Sequence, residues 1–550
     1  MSMNNQNKQD TQKRILIATL ISFVFFIAYD FLYLQPQQQA QVEYAKTHPT
    51  TTKNVSTNTS NAPSINNTTT SNTAIPNIKE INKETIVSTI TTKNSIYEID
   101  SLGRIAQVTL REKKYVDKEG KPLKLFNSTQ LRPLEVRFAD QTLNKKAFDT
   151  AVTVSNSKLD VLNGSKVLTI TQNLGTTVLT KKIEFFEDGH YKLNISTSNN
   201  QNYFVTPGYR PDIAADMYAD HGALLIKSDG TLVIIEDEDM DNATELVGIQ
   251  AASAFDRYYT TVLYNFEKNM QVSVMKSANN SPESFIHVAN TATLYGYAGP
   301  KEYNLIKSFH PQLTHIIEYG WFTFLAKPMF VMLQYIHDMV GNWGWTIVIT
   351  TILLKLALSP LSHKGMVSMN RLKELAPKIK AIQEKNKDDK QKASMQMMEL
   401  YKKEGANPMG GCLPILLQIP IFFAIYRVLL NSIELKGAEW FGFIQDLTHT
   451  VSPSNLLDPY IIIPIFMGLT MFIQQKITPN QMQDETQRKM FMMLPFIFTI
   501  FFIFFEAGLV IYWTVNNIFT ITQQYYINKM FETQRLAREK AHDAKKNKKG

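Results

Sequence analysis

The chain has 550 residues, with 57 Lys and Arg against 49 Asp and Glu, so its formal net charge is +8. Its single cysteine, Cys412, excludes an intramolecular disulfide and argues against a cysteine-based metal site. Apolar residues are concentrated in the first 34 positions and after residue 320, whereas the middle of the chain has the composition of a water-soluble domain. This distribution indicates a membrane protein that carries one large water-exposed domain.

Residues 1–34 combine a polar, basic start with a 20-residue apolar run at 15–34. That run is long enough to cross the hydrocarbon core and has no small-residue cleavage site directly after it, so we expect an uncleaved anchor. The basic flank predicts a cytoplasmic N-terminus. Residues 35–85 are rich in Gln, Asn, Thr and Ser and predict a flexible tether, because they cannot bury enough apolar surface to offset the entropy of ordering.

Residues 86–318 predict a large antiparallel β-sandwich, because short alternating or β-branched runs recur through them. Turn dipeptides separate these runs at Asn163-Gly164, Asp188-Gly189 and Asp229-Gly230. The histidines of this region show no HxH or HExxH spacing, so we expect structural or surface roles for them rather than metal binding. We also expect the domain to contact the membrane part only through its end and its tether.

Residues 319–340 repeat apolar side chains at helical spacing, with Lys327, Gln334, His337 and Asp338 among them. This pattern predicts an amphipathic helix that lies at the membrane surface. A membrane-spanning helix is the alternative interpretation.

The stretch 343–361 is long enough to span the membrane and is interrupted by one charge, Lys355. At about 1.5 Å per residue this lysine lies roughly 18 Å into the membrane, where a cation is unfavourable by about 2.5–3.5 kcal/mol. Thr351 and Ser359 lie four residues before and after it, so they share its helix face. Two interpretations remain open: the lysine snorkels to the nearer interface, or it faces a polar cavity between helices.

Residues 363–411 contain 11 Lys or Arg and six acids in a helical pattern, and the polar segment 385–391 divides them into the two arms of a helical hairpin. Five methionines offer adaptable apolar surface for the capture of varied apolar segments. They are Met366, Met369, Met395, Met397 and Met398. Turn residues at 407–411 end the hairpin.

Four more apolar stretches complete the membrane part, and a basic tail at 529–550 follows them. The loop 431–459 contains one lysine and four acids, whereas 363–411, 476–489 and 528–550 are all basic. Six spans with both termini in the cytoplasm satisfy the positive-inside rule at every loop, and the β domain then lies outside the cytoplasm. The four stretches are 412–430, 460–475, 490–505 and 507–527.

Polar residues within the spans align on helix faces. The last span carries a stripe formed by Tyr512, Asn516, Thr520 and Gln523, and Gln418 interrupts the third span. Such residues can form hydrogen bonds between helices, and each bond of this kind typically contributes about 0.6 kcal/mol. Together with Lys355 they favour a water-accessible cavity within the membrane. No Asp or Glu lies inside the five C-terminal spans, which argues against an ion-coupled transporter.

Five strings occur in a characteristic order: YGYAGPKEY (295–303), GNWGWTIVITTILLKLALSPLS (341–362), NPMGGCLPILLQIPIFFAIYRVLL (407–430), PIFMGLTMFIQQKI (464–477) and GLVIYWTVNNIFTITQQ (508–524). Through them the chain resembles the YidC/Oxa/Alb family of membrane protein insertases, most closely its Gram-negative YidC form. The similarity covers roughly 295–528 by sequence. It covers the region 86–294 by architecture only.

The resemblance implies a polytopic α-helical membrane protein with six transmembrane helices and a large periplasmic β-supersandwich domain inserted after the first. A five-helix core at 341–528 would contain the hairpin. The family has a hydrophilic groove with one basic residue, open to cytoplasm and lipid and closed to the periplasm, and Lys355 matches that residue. Thr351 and Tyr512 match groove-lining positions, and the turn at 506–509 departs from the family's usual Pro-Ser-Gly-Leu. The groove we predict consists of Lys355, Thr351, Ser359, Gln418, Tyr512, Asn516 and Thr520.

The function implied is insertion and chaperoning of bacterial inner-membrane proteins, alone or with the Sec translocon, without enzymatic catalysis and without a cofactor. The implied partners are nascent membrane proteins, the lipid bilayer, the Sec translocon, and a ribosome or targeting receptor at the basic hairpin and tail. Two other classes remain as alternatives: an ion or solute transporter that uses Lys355, and a membrane-anchored carbohydrate-active protein acting through the β domain. Paired acids and an inverted repeat would favour the transporter, and the sequence contains neither.

Overall fold

The computed structural model describes residues 85–547 except for 118, 128, 215–219, 241, 278, 388, 405–412, 452–454, 456 and 479–484. The predicted anchor at 1–34, the tether at 35–85 up to its last residue, and the turn at 407–411 lie outside these residues.

The first part of the described chain forms 17 strands in two sheets, one of four strands and one of 13. The strands are β1 (Ile86–Thr92), β2 (Ser95–Asp100), β3 (Ile105–Leu110), β4 (Val136–Phe138), β5 (Thr153–Val154), β6 (Lys158–Val161), β7 (Ser165–Asn173), β8 (Val178–Phe186), β9 (Tyr191–Thr197), β10 (Asn202–Val205), β11 (Gly222–Lys227), β12 (Leu232–Glu236), β13 (Thr244–Phe255), β14 (Tyr259–Tyr264), β15 (Met270–Lys276), β16 (Pro282–Ala289) and β17 (Thr291–Pro300).

The smaller sheet has the order β3-β2-β1-β6, and the larger runs β4-β10-β16-β15-β13-β14-β17-β9-β8-β7-β5 with β11 pairing both β12 and β13. The pairing of β1 with β6 is parallel, whereas the larger sheet is antiparallel. Strand β13 pairs with β15 along its first half and with β14 along its second. Gly248, with φ of +75°, lies at the register shift between the halves, where a positive φ favours glycine.

Side chains from both sheets meet in one apolar core, so the predicted β-sandwich is confirmed. Ile90 and Tyr97 of the smaller sheet and Ile183 and Leu193 of the larger are among its fully buried members. Strand β9 alternates buried and partly exposed positions, as a strand with one face on a core does. Burying each such side chain contributes about 1.5–3 kcal/mol.

One short helix within this domain, α1 (Gln141–Asp149), was not predicted. The Asp140 carboxylate accepts a hydrogen bond from the backbone N–H of Leu143 at 2.7 Å and caps it. Its buried face carries Leu143 and Ala147, one helical turn apart. An acidic cap followed by this spacing was the available sequence signal.

Helices make up most of the rest of the described chain. The helices are α2 (Tyr303–Phe309), α3 (Thr323–Val340), α4 (Trp343–Lys385), α5 (Lys390–Lys403), α6 (Leu413–Asn431), α7 (Ile462–Ile477), α8 (Glu485–Phe502) and α9 (Ala507–Asn547). Within the described residues, two helical segments, Trp343–Lys385 and Pro459–Ile477, are long and apolar enough to cross a membrane. Gln418–Asn431 and Phe491–Phe502 are apolar but shorter. The coarse division into a β-sandwich and a helical membrane region therefore holds, and the count of six spans stays a prediction.

Helix α4 continues without interruption from the first C-terminal span into the first arm of the hairpin. The second arm, α5, begins at the cap Asp389, whose side chain accepts from the N–H of Lys392 at 2.9 Å. The arms pack through a small apolar cluster formed by Leu372, Leu375 and Ile379 with Met397, Leu400 and Tyr401. At the other end of the chain, α9 extends past the last apolar stretch to Asn547, so the basic segment after residue 528 begins as a helical extension of that span.

The expectation that the β domain contacts the membrane part only through its end and its tether is wrong. Leu224 of β11, Phe255 of β13 and Val262 of β14 belong to the same buried apolar cluster as Ile347 of α4 and Ala424 of α6. These three strands carry apolar side chains on the outer face of the sandwich. Their apolar surface is therefore removed from water within a cluster that also contains membrane-helix side chains, so the two regions share one core.

A polar network between the membrane helices

Lys355 of α4 contacts side chains of two other helices. Its Nζ donates to Oγ1 of Thr520 on α9 at 3.1 Å and to Oε1 of Gln418 on α6 at 3.4 Å. Gln418 Nε2 donates to Oδ1 of Asn516 at 3.0 Å. The hydroxyl of Thr520 donates to the carbonyl of Asn516 within α9 at 2.8 Å. We call Lys355, Gln418, Asn516 and Thr520 the Lys355 network.

The three helices bring the network to one depth. Lys355 follows the start of α4, Gln418 precedes the end of α6, and Asn516 follows the start of α9 by similar lengths of helix. At about 1.5 Å per residue these separations are roughly 14–20 Å. The network thus lies about half a hydrocarbon thickness, ~30 Å in full, from the helix ends that face the β domain.

The position of the ammonium distinguishes the two interpretations of Lys355. A snorkelling lysine extends along its own helix toward an interface. Here Nζ reaches Thr520, which lies about as far along α9 from its start as Lys355 lies along α4. The acceptor is therefore at nearly the depth of the lysine itself. The lysine is partly buried between helices, and this geometry favours the polar-cavity interpretation.

The remaining predicted groove residues divide between two environments. Ser359, one turn beyond Lys355, accepts from Gln523 Nε2 through its Oγ at 3.2 Å and its carbonyl at 3.3 Å, so polar contacts continue toward the hairpin. Thr351 is buried, and its hydroxyl donates to the carbonyl of Ile347 in the same helix at 2.7 Å. Tyr512 is buried in the apolar cluster shared with the β domain. Thr351 and Tyr512 therefore lie on the β-domain side of the network rather than in it.

An aromatic layer lies between the network and the β domain. Phe422 of α6 meets Trp513 of α9 edge to face, with ring centroids 4.9 Å apart. Trp513 also contacts Phe502 at the end of α8, with centroids 5.3 Å apart. Sequence reasoning missed this layer, although each of its two groove-side rings lies one turn from a predicted polar residue. The layer separates the polar side chains from the β-domain side.

A second polar contact of α9 lies on a different face. Asn517 Nδ2 donates to Oγ1 of Thr470 on α7 at 3.2 Å, and both side chains are buried. Both interpretations of the polar stripes therefore apply, each to its own face of α9. The Thr470 contact ties two helices together, whereas the Lys355 network brings a charged group and neutral acceptors to one site.

The hairpin methionines are not equivalent. Met397 packs into the cluster between the two arms, where its sulfur accepts from Gln383 Nε2 at 3.6 Å. Met395 and Met398 on the same helix are 59% and 51% exposed. Met366 and Met369 are partly buried on α4. Within the described hairpin residues, Met395 and Met398 are thus the methionines best placed to contact another molecule.

Within the described part of the chain, no group of three or more His, Cys, Asp or Glu is arranged to hold a metal ion. The histidines of the β domain have other contacts. His287 Nε2 lies 2.6 Å from Oγ of Ser273, and His310 stacks on Phe266.

Known proteins resemble the chain over both of its regions. The model of the 60Kd inner membrane protein family matches residues 335–534, and that of the YidC periplasmic domain matches residues 88–332. The membrane protein insertase YidC of Campylobacter jejuni is 46% identical over 531 residues, which cover 96% of this chain and 98% of that protein. Its counterpart in Wolinella succinogenes is 44% identical over 538 residues, covering 97% and 98% of the two chains. In Helicobacter pylori the corresponding protein is 42% identical, with coverage of 96% and 98%. The resemblance seen in five sequence strings is thus confirmed over the whole length, and the chain belongs to the YidC family of membrane protein insertases.

Proposed function

We propose that this protein inserts nascent membrane proteins into the inner membrane and assists their folding, and that the Lys355 network is the hydrophilic groove that receives their polar segments. The observation that carries the proposal is a cation held near mid-membrane depth by neutral oxygens from two other helices. Each unsatisfied polar backbone group in hydrocarbon costs several kcal/mol. Donors and acceptors at this depth lower that cost for a passing segment, and no bond-making step is required.

The neutral partners of Lys355 matter for this role. Gln418 and Thr520 stabilise the ammonium by hydrogen bonding without neutralising its charge. The cation therefore remains able to attract an acidic segment. A low-dielectric surrounding strengthens that attraction relative to bulk water, and the desolvation of the lysine itself limits the gain.

The aromatic layer supports a groove that is closed toward the periplasm. Phe422 and Trp513 stand between the network and the β-domain side. Polar contacts continue in the other direction through Ser359 and Gln523. A segment entering from the cytoplasmic side would thus meet polar side chains first and the aromatic layer last.

The protein is an inner-membrane protein whose β-sandwich is periplasmic. We propose the finer topology of six spans with both termini in the cytoplasm, supported by the basic loops. Helix α3 would lie at the periplasmic membrane surface, since Ala326 and Phe330 are buried against the protein while Phe324 and Tyr335 on its other face are 75% and 66% exposed. The domain boundaries predicted from the sequence are proposed together with this topology.

The basic hairpin and the basic C-terminal helix are proposed to face cytoplasmic partners. Both carry lysines and arginines on exposed surface, which suits a ribosome, a targeting receptor or an acidic face of the Sec translocon. Met395 and Met398 add flexible apolar contacts for client segments. Deleting residues 370–403 is expected to abolish insertion while the C-terminal spans still enter the membrane. Full activity of that deletion would reduce the hairpin to a linker.

The decisive experiment measures insertion of one client whose short translocated tail is varied from acidic to neutral. Lys355→Ala should impair the acidic tail more than the neutral one, whereas Lys355→Arg should retain insertion of both. Lys364→Ala, which removes an exposed lysine of the same helix, is the matched control and should not distinguish the acidic tail from the neutral one. Equal activity of Lys355→Ala on both tails would overturn the electrostatic role of Lys355.

The transporter alternative is not supported, because the relatives that match this chain over nearly their whole length are insertases. Within the described residues, the hydrogen bonds of Lys355 Nζ also go to neutral groups rather than to an acid. The carbohydrate-active alternative likewise has no support among these relatives.

A further inference from the structure

We infer that Arg257 of the periplasmic domain is a positioning residue that holds α6 and α9 together at their outer ends, and so sets the spacing of Gln418 and Asn516 in the groove. The inference rests on the proposed groove. It assigns the β domain a part in insertion through one short loop, Asp256–Tyr258, which joins β13 to β14.

One guanidinium bridges the two helices. Arg257 Nε donates to the carbonyl of Leu430 in the last turn of α6 at 2.7 Å. Its Nη2 donates to the carboxylate of Glu506, the residue directly before α9. The hydroxyl of Tyr258 donates to the same carboxylate at 3.1 Å. Arg257 and Glu506 are 8% and 6% exposed, so the contact is shielded from water and from screening by salt.

The loop that carries Arg257 is ordered by the β domain itself. The buried carboxylate of Asp256 accepts four backbone hydrogen bonds, at 2.7–3.1 Å. The donors are the N–H groups of Ile213, Ala214, Tyr258 and Tyr259. The guanidinium carbon of Arg257 also lies 4.6 Å from the centroid of the Tyr258 ring. The loop that presents the arginine is therefore held by hydrogen bonds within the β domain, in addition to the contacts that the arginine makes with the two helices.

The same two helices carry the groove. Gln418 precedes Leu430 within α6, and Asn516 follows Glu506 within α9. Each separation is roughly 15–18 Å at about 1.5 Å per residue, and helices are stiff over this distance. A displacement at their outer ends therefore also moves the side chains at the network. Between the outer ends and the network, Phe422 and Trp513 supply a ring contact, whereas the guanidinium donates directional hydrogen bonds to both helix ends.

Arginine is suited to this task because its planar fork donates in two directions at once, whereas a lysine ammonium is a flexible point charge. Glu506 stands in the turn where the chain departs from its family's usual residues, and Arg257 supplies a cation beside that buried acid. Removing the arginine alone would take this cation away and leave the acid buried, which drives the turn toward water.

The test measures the groove directly by cross-linking. Cysteines replace Gln418 and Asn516 in a Cys412→Ser background, and a short membrane-permeant bifunctional thiol reagent joins them, since a direct disulfide requires Cα atoms within about 7 Å. The yield is expressed as a fraction of membrane-inserted protein, so it does not depend on abundance. We expect Arg257→Gln to lower it several-fold and Arg257→Lys to restore it only in part. Insertion of an acidic-tailed client by the same Arg257 variants, without the cysteines, should fall in the same order.

Asp220→Asn is the matched control. Asp220 pairs with Arg427 of α6 at 3.4 Å, so it also joins the β domain to a membrane helix, and within the described residues that is the one helix it pairs with. This variant should leave cross-linking and insertion near wild type. The double variant Arg257→Gln with Glu506→Gln removes both charges of the pair, so it separates loss of the tie from misfolding caused by a buried acid. It should combine normal abundance with low cross-linking.

Unchanged cross-linking in the double variant would overturn the positioning role, as would reduced insertion by Arg257→Gln with cross-linking intact. Equal losses in Asp220→Asn would show a general effect of detaching the domain and would also overturn it. The cross-link needs no client, so its outcome is separate from that of the groove proposal. If the Lys355→Ala protein inserts every client normally, the groove proposal is wrong. The positioning role of Arg257 is then still decided by the cross-linking yield alone.

Discussion

Gln418 and Asn516 meet across the interface of α6 and α9, with Nε2 of the glutamine 3.0 Å from Oδ1 of the asparagine. The same glutamine accepts from Lys355 through its other amide atom. One side chain therefore orders the groove in two ways. It fixes the neighbouring helix α9, and it holds the ammonium of Lys355 away from the membrane surface. Such a double role makes the glutamine more informative to substitute than either partner.

Gln418→Leu should weaken insertion even though leucine is the more favourable residue in a membrane helix. The change removes one partner each from Lys355 and Asn516, and membrane hydrogen bonds of this kind are worth about 0.6–1.7 kcal/mol. Gln474→Leu is the control, because the buried Oε1 atom of Gln474 has no hydrogen-bond partner among the residues that the structure describes. Insertion assays with a charged client should separate the two variants, and equal activity would contradict a role for the network.

The two arms of the hairpin should separate when a buried side chain of their shared apolar cluster is removed. Leu375→Ala removes a side chain buried against the second arm, and such changes cost about 2–5 kcal/mol. Met398→Ser on the exposed face should cost under about 0.5 kcal/mol in stability but reduce the capture of apolar client segments. Limited proteolysis reports the integrity of the hairpin, and site-specific cross-linking to a client reports capture. Normal cross-linking of the Met398→Ser protein to the client would show that Met398 is not part of the capture surface.

Glu434 should make stability depend on pH. Its Oε1 accepts from the backbone N–H of Tyr303 at 2.8 Å in the loop between α6 and α7, beside the β domain. Burial raises the pKa of this carboxyl to about 7, and nearby Glu302 adds to the shift, while the Tyr303 N–H and Lys114 oppose it. The folded state therefore binds the proton more tightly than the unfolded chain does, so stability falls as pH rises from about 4.5 through 7.

Thermal unfolding of the purified protein in detergent at pH 5 and pH 8 tests this sign. Glu434→Gln stays neutral at both values, so the difference in melting temperature between them should shrink relative to wild type. Glu187→Gln, which changes an exposed acid of the β domain, is the control. A larger pH difference in Glu434→Gln than in wild type would show that the carboxyl is stabilising when charged.

Gly344→Ala should displace the start of α4. A Cβ at this position would lie 2.2 Å from Cγ of Trp440, a ring in the segment between α6 and α7. Overpacking of this kind typically costs about 1–3 kcal/mol. The melting temperature should fall, and adding Trp440→Leu should recover part of the loss by making space. Failure of the second substitution to recover any stability would mean that another contact limits the site.

The one-dimensional pattern of the chain determined which residues had to avoid water, and therefore the division into sandwich, hairpin and membrane helices. The same pattern identified the four members of the Lys355 network, because a polar residue within an apolar stretch is conspicuous whatever the fold. Periodicity also placed Lys355, Thr351 and Ser359 on one face of α4. It could not reveal that Thr351 would satisfy its hydroxyl on its own helix and stay outside the network.

The tertiary structure alone decided which polar residues meet. Arg257 and Glu506 are 249 residues apart in the chain. Arg257 does not stand out in the sequence, and Glu506 is noticeable only as a departure from the family's usual turn, because a charged residue in a loop is ordinary until the fold buries it. The same holds for the outer faces of β11, β13 and β14, whose apolar side chains resemble any sandwich strand until helices cover them. Local pattern reports the environment that each residue needs, whereas the choice of partner depends on packing between segments distant in sequence, which no local window contains.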